Sequence, residues 1–151
     1  MIKKESKYQR IYSQLEELLQ KEGDVLSKQA TIAAVLYHKI DYFFWCGFYI
    51  LRNDDLLVSA YQGPLACQKL EKGKGVCWSA VKQGKTLIVK NVEAFPDHIA
   101  CDSRSKSEIV VPLRNSENDI IGVLDVDSDK LNSFDMIDAK YLEKIVQLIF
   151  Y

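Results

Sequence analysis

Two pairs of apolar, strand-like runs, each joined by a short polar turn, constrain the fold of this 151-residue chain most strongly. The first pair spans residues 43–51 and 56–61 and is separated by residues 52–55, whose Asn and Asp side chains favour a tight turn. The second pair spans residues 108–113 and 120–127 and also encloses polar turn residues. Each pair predicts a hairpin, and two hairpins predict a largely antiparallel sheet.

Helices are predicted at both ends of the chain. Apolar side chains at helical spacing predict a first helix over residues 5–22, and Asp24 can cap a second that continues to about residue 38. Ser133 can cap a final helix, whose shared apolar face consists of Ile137, Tyr141, Ile145 and Leu148. One layer of helices on such a sheet is an α+β fold, with the N- and C-terminal helices packed on one side. A chain of this length with 48% hydrophobic residues predicts one domain over residues 1–151.

The overall charge excludes several classes of partner. Twenty basic and twenty-one acidic residues give a net charge of −1, which offers no electrostatic surface for nucleic acid or an anionic membrane. No apolar run approaches the length that spans a bilayer, so we expect a cytoplasmic protein. In that reducing compartment four cysteines without a CxxC motif are a poor structural framework, and a bridge among them is expected to be transient and catalytic.

Cys101 lies in a polar loop, within residues 91–107, that is unlike a core segment. The loop carries basic residues, Arg104 and Lys106, that can lower a thiol pKa, so Cys101 is predicted to be a reactive thiol; an inert buried thiol is the alternative. His98, three residues away, is either a Cys/His partner or an ordinary surface residue.

Two further thiols are candidates to resolve an oxidised Cys101. Cys67 lies in the loop that begins at residue 63. Cys77 is predicted near the N-terminus of a short helix over residues 76–83, where the helix dipole would favour a thiolate. Either can attack a sulfenic acid. We expect no metal site, because the spacing of these three cysteines and His98 lacks the paired ligands of structural zinc sites. The fourth cysteine, Cys46, is predicted to be a buried structural thiol.

Carboxylates and aromatic residues form a second candidate constellation. Asp125 and Asp127 are two apart in a strand and therefore project from the same face, where Glu108 can join them across the hairpin. If these acids are buried, one of them is expected to be neutral near pH 7. The alternative is that the two aspartates lie on a solvent-exposed face or begin the following turn. Trp45 and Tyr49, four apart in another strand, are core aromatics or one wall of a substrate pocket.

These stretches together resemble the free methionine (R)-sulfoxide reductases, which are single-domain GAF proteins, over nearly the whole chain. The matching segments lie at residues 45–49, 63–67, 73–77, 95–102, 107–113 and 121–128, and they include three cysteines that a generic GAF domain lacks. The resemblance implies an enzyme that reduces free L-methionine (R)-sulfoxide to L-methionine.

The resemblance also implies roles for individual residues. Cys101 matches the attacking cysteine, Cys67 matches the principal resolving cysteine, and Cys77 matches an auxiliary resolving thiol. The resemblance further implies a Cys67–Cys101 disulfide that is recycled by thioredoxin. The pocket carboxylates are matched by Glu108, Asp125 and Asp127, and the aromatic residues beside the substrate by Trp45 and Tyr49. A homodimer without a bound cofactor is expected, while Cys46 occupies a position where the family is expected to have no thiol.

Two other classes of function compete with an enzyme. A GAF module that senses a small molecule or redox state needs no catalysis, but sensors are usually joined to an output domain and this sequence ends at Tyr151, after its last predicted helix. A purely structural domain would leave the cysteine loop and the paired acids without a purpose. The resemblance therefore favours the reductase.

Overall fold

The computed structural model describes residues 2–98 and 101–150, which leaves Met1, Ile99, Ala100 and Tyr151 outside the described residues. Its α-helices are α1 (Ile2–Leu19), α2 (Val25–Lys39), α3 (Gly75–Gln83) and α4 (Met136–Gln147). Its strands are β1 (Trp45–Arg52), β2 (Asp55–Gln62), β3 (Lys69–Leu70), β4 (Leu87–Val89), β5 (Ser107–Arg114) and β6 (Ile120–Ser128). Two short 3₁₀ helices cover Val92–Ala94 and Leu148–Phe150.

The strands form one antiparallel sheet in the order β3-β2-β1-β6-β5-β4. Both predicted hairpins are present, as β1–β2 and β5–β6, and they meet where β1 pairs with β6 at the centre. The tight turn of the first hairpin places Asn53 and Asp54 in the left-handed region, at φ 50° and 66°, which Asn and Asp tolerate. The short strand β3 was not predicted, because two residues are too few to show an alternating pattern.

Alternating side chains give the central strands two buried faces. On one face the side chains of Cys46, Phe48, Leu124 and Val126 join a large core with apolar residues of α1, α2 and α4. This confirms the α+β class with the terminal helices on one side. The prediction of a single helical layer was wrong, because α3 packs on the other face through Val76, Cys77 and Ala80. The residues that alternate with these along β1, β5 and β6 point to the side of α3, and the candidate acids are among them.

The start of α4 differs from the prediction. Asp135, not Ser133, is its N-cap, and the Asp135 carboxylate accepts hydrogen bonds from the backbone N–H groups of Ile137 and Asp138. Asp138 completes the capping box by accepting from the Asp135 N–H at 2.8 Å. Ser133 instead exchanges a hydrogen bond with the Ser128 hydroxyl at 2.7 Å. Both residues are good caps in sequence, and only the acid three positions after Asp135 distinguishes them.

The Asp138 carboxylate also joins α1 to the core. It is fully buried and accepts hydrogen bonds from the Tyr8 and Tyr42 hydroxyls, each at 2.6 Å, and from Lys4 Nζ at 2.8 Å. A buried carboxylate is tolerated only when its oxygens have such donors. Asp138 therefore ties three separate segments of the chain together.

Within the described residues, no helix is both long and apolar enough to cross a bilayer.

Candidate active site

A cleft opens between α3, the exposed loops and the central strands. Its empty volume is about 600 Å³, part of it open to solvent. All of the residues predicted as catalytic or substrate-binding line this cleft or form the disulfide at its rim. The pairing of the two cysteines in that disulfide was predicted only from the resemblance. Those in the lining are Trp45, Tyr49, Cys77, Cys101, Glu108, Asp125 and Asp127, and Cys67 bonds to Cys101.

A disulfide between Cys67 and Cys101 stands at the rim of the cleft. The two cysteines are 34 residues apart in the sequence, and their Cα atoms are 5.4 Å apart. Cys67 comes from the loop after β2, and Cys101 from the segment between β4 and β5. The pairing implied by the resemblance is therefore present in the structure, whereas Cys46 and Cys77 are free thiols.

The sheet register brings the three carboxyl groups into one cluster. Asp127 of β6 pairs with Glu108 of β5 on one side and with Trp45 of β1 on the other, and Asp125 lies one row further along the same face. Glu108 and Asp125 are 5% and 6% exposed, and Asp127 is half-buried at the cleft. The prediction that these acids share a face is confirmed, and the alternative of a solvent-exposed pair is excluded.

Burial raises the pKa of each carboxyl in this cluster. Loss of hydration is the largest cause for all three, and the nearby charges of Asp125 and Asp127 raise the pKa of Glu108 further. Hydrogen bonding from Glu108 acts in the opposite direction on both aspartates. Within residues 2–98 and 101–150, no ion pair joins a basic side chain to any of them. The cluster therefore favours holding a proton over carrying three negative charges.

Cys77 is not the activated thiol that its position predicts. It is the third residue of α3, but it is 4% exposed, and burial together with Asp125 and Glu108 raises the pKa of its thiol well above the ordinary value. The prediction of thiolate character from the helix dipole was wrong, because desolvation and two neighbouring acids outweigh that dipole. The predicted burial of Cys46 is confirmed, because it is fully buried in the core on the opposite face.

Aromatic side chains form one wall of the cleft and also hold the loop that carries Cys67. Trp45 stacks between Tyr49 and Tyr61, with ring centroids 5.7 and 5.3 Å away. The Trp45 indole N–H donates to the carbonyl of Pro64 at 3.0 Å, and the Tyr49 hydroxyl donates to the carbonyl of Cys67 at 3.3 Å. Trp45 and Tyr49 are therefore both core aromatics and pocket residues.

The basic residue nearest to Cys101 in sequence has another partner. The Arg104 guanidinium pairs with Asp102 at 2.7 Å and lies 4.9 Å from the centre of the Phe44 ring. This ion pair lowers the pKa of Asp102 to about 2. His98 lines the cleft, and its partial burial lowers the pKa of its imidazole. His98 therefore lies beside the site, and nothing in the geometry of the described residues makes it a partner of Cys101.

The sequence reasoning missed the roles of Gly47 and Tyr61 and treated Gly63 only as the start of a loop. A Cβ on Gly47 would meet Cβ of Tyr61 and come within 2.7 Å of Cη2 of Trp45, so only glycine leaves room for the aromatic stack. Gly63 has φ +122° and leads the chain into the Cys67 loop. A glycine inside the apolar run of β1 was the available signal, since glycine in a strand often marks a close approach.

Comparison with known proteins places this geometry in a class. The family model of the GAF domain matches residues 29–149. "GAF domain-containing protein A" of Dictyostelium discoideum is 53% identical over 147 residues, which cover 97% of this chain and 92% of that protein. The fold and sequence thus define a GAF-domain protein.

Two further relatives narrow the class. "Free methionine-R-sulfoxide reductase" of Escherichia coli is 40% identical over 129 residues, which cover 85% of this chain and 78% of that protein. The X-ray structure of free methionine-R-sulfoxide reductase from Neisseria meningitidis in complex with its substrate superimposes with a TM-score of 0.89 at 44% identity, covering 94% of this chain and 85% of that one. The chain belongs to the free methionine-R-sulfoxide reductase family of GAF-domain proteins. This confirms the predicted family and the prediction of an oxidoreductase.

Proposed function

We propose that this protein reduces free methionine (R)-sulfoxide to methionine, with Cys101 as the nucleophile and Cys67 as the resolving thiol. The observation that carries the proposal is the Cys67–Cys101 disulfide at the rim of a cleft that also contains the buried carboxyl groups of Glu108 and Asp125 and the half-buried one of Asp127. Those are the two components that the reaction needs, a thiol couple and an acid. The R configuration and the free amino acid as substrate are supported by the named relatives.

The chemistry requires the acid and the thiol to act together. A sulfoxide sulfur is a weak electrophile, because its oxygen leaves poorly unless it is protonated. In the proposed step the Cys101 sulfur attacks the sulfoxide sulfur while a carboxyl proton passes to the oxygen. Net transfer of that hydroxyl to Cys101 releases methionine, so the substrate sulfur gains two electrons and Cys101 becomes a sulfenic acid. The Cys67 thiol then forms the disulfide, and the hydroxyl leaves as water.

Glu108 is proposed as the proton donor. Burial and the charges of Asp125 and Asp127 raise the pKa of Glu108 well above its ordinary value, so it carries a proton at a pH where an exposed glutamate would not. The hydrogen bonding that both aspartates receive from Glu108 supports the same assignment. Asp125 and Asp127 are proposed to bind the substrate's α-ammonium group.

Recognition of a free amino acid follows from this division of roles. A carboxylate that binds an α-ammonium group discriminates against a peptide-bound residue, because a peptide N–H cannot replace the hydrogen bonds of the ammonium group. The flanking peptide chain would also have to fit into the cleft. Trp45 and Tyr49 provide an apolar wall for the methyl thioether end. The substrate is therefore expected to lie with its sulfur near Cys101 and its ammonium group near the aspartates.

We propose thioredoxin as the reductant that returns the disulfide to two thiols. The exposed position of the disulfide supports this proposal. Cys101 is exposed, and Leu65, two residues before Cys67, is 87% exposed, so a thiol of thioredoxin can reach the disulfide. A homodimer and a cytoplasmic location are proposed with it. The exposed apolar side chains Leu18 and Leu26 on α1 and α2 support the first, and the reducing compartment that such a thiol cycle requires supports the second.

The test is thioredoxin-coupled turnover of the separated R and S isomers of free methionine sulfoxide, with a peptide-bound sulfoxide for comparison. We expect turnover of the free R isomer only. Cys101→Ser should abolish it, whereas Cys46→Ser, a matched change of a buried thiol on the far face of the sheet, should not. Undiminished turnover in Cys101→Ser would remove the central claim.

The resolving role has its own test in the same assay. Cys67→Ser should release about one methionine per protein molecule and then stop, because the sulfenic acid forms without a partner. A variant that continues to turn over with thioredoxin would show that another thiol, such as Cys77, resolves Cys101.

A further inference from the structure

The fold brings Cys77, Glu108 and Asp125 together from three different elements. Cys77 belongs to α3, Glu108 to β5 and Asp125 to β6, and the nearest atoms of the thiol and the two carboxyl groups all lie within 4.8 Å of one another. All three side chains are buried, and all three line the cleft. The reaction proposed above uses the two carboxyl groups but gives the Cys77 thiol no part in the attack on sulfoxide.

The hydrogen bonding of Asp125 is incomplete among the described residues. Oδ1 of Asp125 is buried and has no hydrogen-bond partner among residues 2–98 and 101–150. Leaving a carboxylate oxygen buried and unpaired is costly, so such an oxygen marks a position where a donor or a cation binds. Its neighbours decide which ligand fits. An ammonium group gains from the carboxylates alone, whereas a soft or borderline metal ion also gains from the thiol.

We propose that Cys77, Glu108 and Asp125 form a binding site for a divalent cation of the zinc class, Zn²⁺ or Cd²⁺. A tetrahedral zinc ion with one sulfur and two oxygen ligands needs ligand atoms about 3.3–3.7 Å apart, and the three groups already lie within 4.8 Å of one another. Because all three residues line the cleft, water can supply a fourth ligand. Mg²⁺ and Ca²⁺ do not suit the site, because they select oxygen ligands and gain little from sulfur.

Binding replaces protons. The thiol loses its proton when the metal–sulfur bond forms, and a protonated carboxyl of the pair does the same, so protons are released to solvent as the cation enters. No electrons are transferred. The bound ion then holds Glu108 and Asp125, which the proposed reaction needs as proton donor and ammonium acceptor. The cation is therefore an inhibitor that competes with the amino-acid substrate, and this consequence, unlike the binding itself, rests on the proposed function.

This site differs from the zinc site that the sequence argues against. Cysteine spacing predicts no metal, because the ligands are not paired along the chain. The sheet register and the packing of α3 bring together residues that spacing cannot connect.

The experiment uses the intact protein with its Cys67–Cys101 disulfide formed, because only Cys46 and Cys77 are then free thiols. Titration with Cd²⁺ is followed by the ultraviolet charge-transfer absorption of a cadmium thiolate, and titration with Zn²⁺ by calorimetry. We expect one ion per chain with one thiolate ligand. Cys77→Ser should remove the cadmium absorption and lower zinc affinity by at least about tenfold, while Cys46→Ser should change neither.

The carboxylate ligands are tested by Glu108→Gln, which keeps the shape of the side chain and should weaken zinc binding while leaving the cadmium absorption detectable at higher concentration. Circular dichroism confirms that each variant is folded. Absence of binding, or cadmium absorption that survives in Cys77→Ser, overturns the site. Because these titrations involve no turnover, they can succeed or fail independently of the sulfoxide reduction assay.

Discussion

Glu108→Gln should make the stability of the folded protein less sensitive to rising pH. Glu108 is 5% exposed and next to two aspartates, and burial with their charges raises its pKa well above the ordinary value of 4.5. An acid that binds its proton more tightly when folded contributes its full stability below the unfolded pKa. That contribution is lost as pH rises from there toward the folded pKa.

The size of the effect follows from proton linkage. Within the window between the unfolded and folded pKa, each pH unit lowers the free energy of unfolding by about 1.4 kcal/mol for one retained proton. The wild type should therefore lose about 1.4 kcal/mol per pH unit relative to the variant throughout that window. The glutamine amide can donate hydrogen bonds as a protonated carboxyl does, but it does not titrate, so the variant should lose this slope.

Urea unfolding of the disulfide form at several pH values measures the difference directly. We expect the free energy of unfolding of Glu108→Gln to rise relative to the wild type as pH increases, while turnover falls by about 10²–10⁴-fold through loss of the proton donor. The matched control is Glu117→Gln, an exposed residue in the β5–β6 turn, whose profile should parallel the wild type. If the Glu108→Gln profile is also parallel, Glu108 is ionised in the fold and the proposed acid must be another group.

Two other substitutions test the frame around the site. Asp138→Ala leaves the buried Tyr8 and Tyr42 hydroxyls without their acceptor and should lower the free energy of unfolding by about 3–5 kcal/mol; a loss below about 1 kcal/mol would show that the network adds little. Gly47→Ala should displace the Trp45 ring, raising the KM for methionine sulfoxide and costing about 1–3 kcal/mol of stability. Unchanged tryptophan fluorescence together with an unchanged KM would contradict this.

The elements that local pattern determines were predicted well. Both hairpins and the terminal helices appear because alternation and helical spacing report directly which residues face a core. Cap residues gave approximate ends: α3 ends at Gln83 as predicted, with Gly84 after it in the left-handed conformation, and Asp24 caps α2 as predicted. The first helix, predicted over 5–22, instead covers Ile2–Leu19, because helix ends depend on local competition that spacing does not resolve.

The features that depend on tertiary packing were not predicted. Helix α3 lies on the face opposite the other helices, and its short apolar pattern does not reveal which face it covers. The same packing reverses the expectation for Cys77, because a position at a helix start is visible in the sequence while burial beside Glu108 and Asp125 is not. Grouping of the three acids was predicted, because one strand carries Asp125 and Asp127 and the hairpin brings Glu108 beside them, but the β5–β6 register was needed to pair Glu108 with Asp127.

The hydrogen bonds from Trp45 and Tyr49 to the Cys67 loop have a consequence for redesign. The side chains that shape the substrate cavity also fix the backbone that delivers the second sulfur. A library that enlarges the cavity at Trp45 or Tyr49 to accept bulkier sulfoxides would therefore loosen the loop at the same time. Improved variants should be selected under multiple-turnover conditions, because a screen scored on the first catalytic cycle would retain enzymes that accept the new compound once and cannot regenerate.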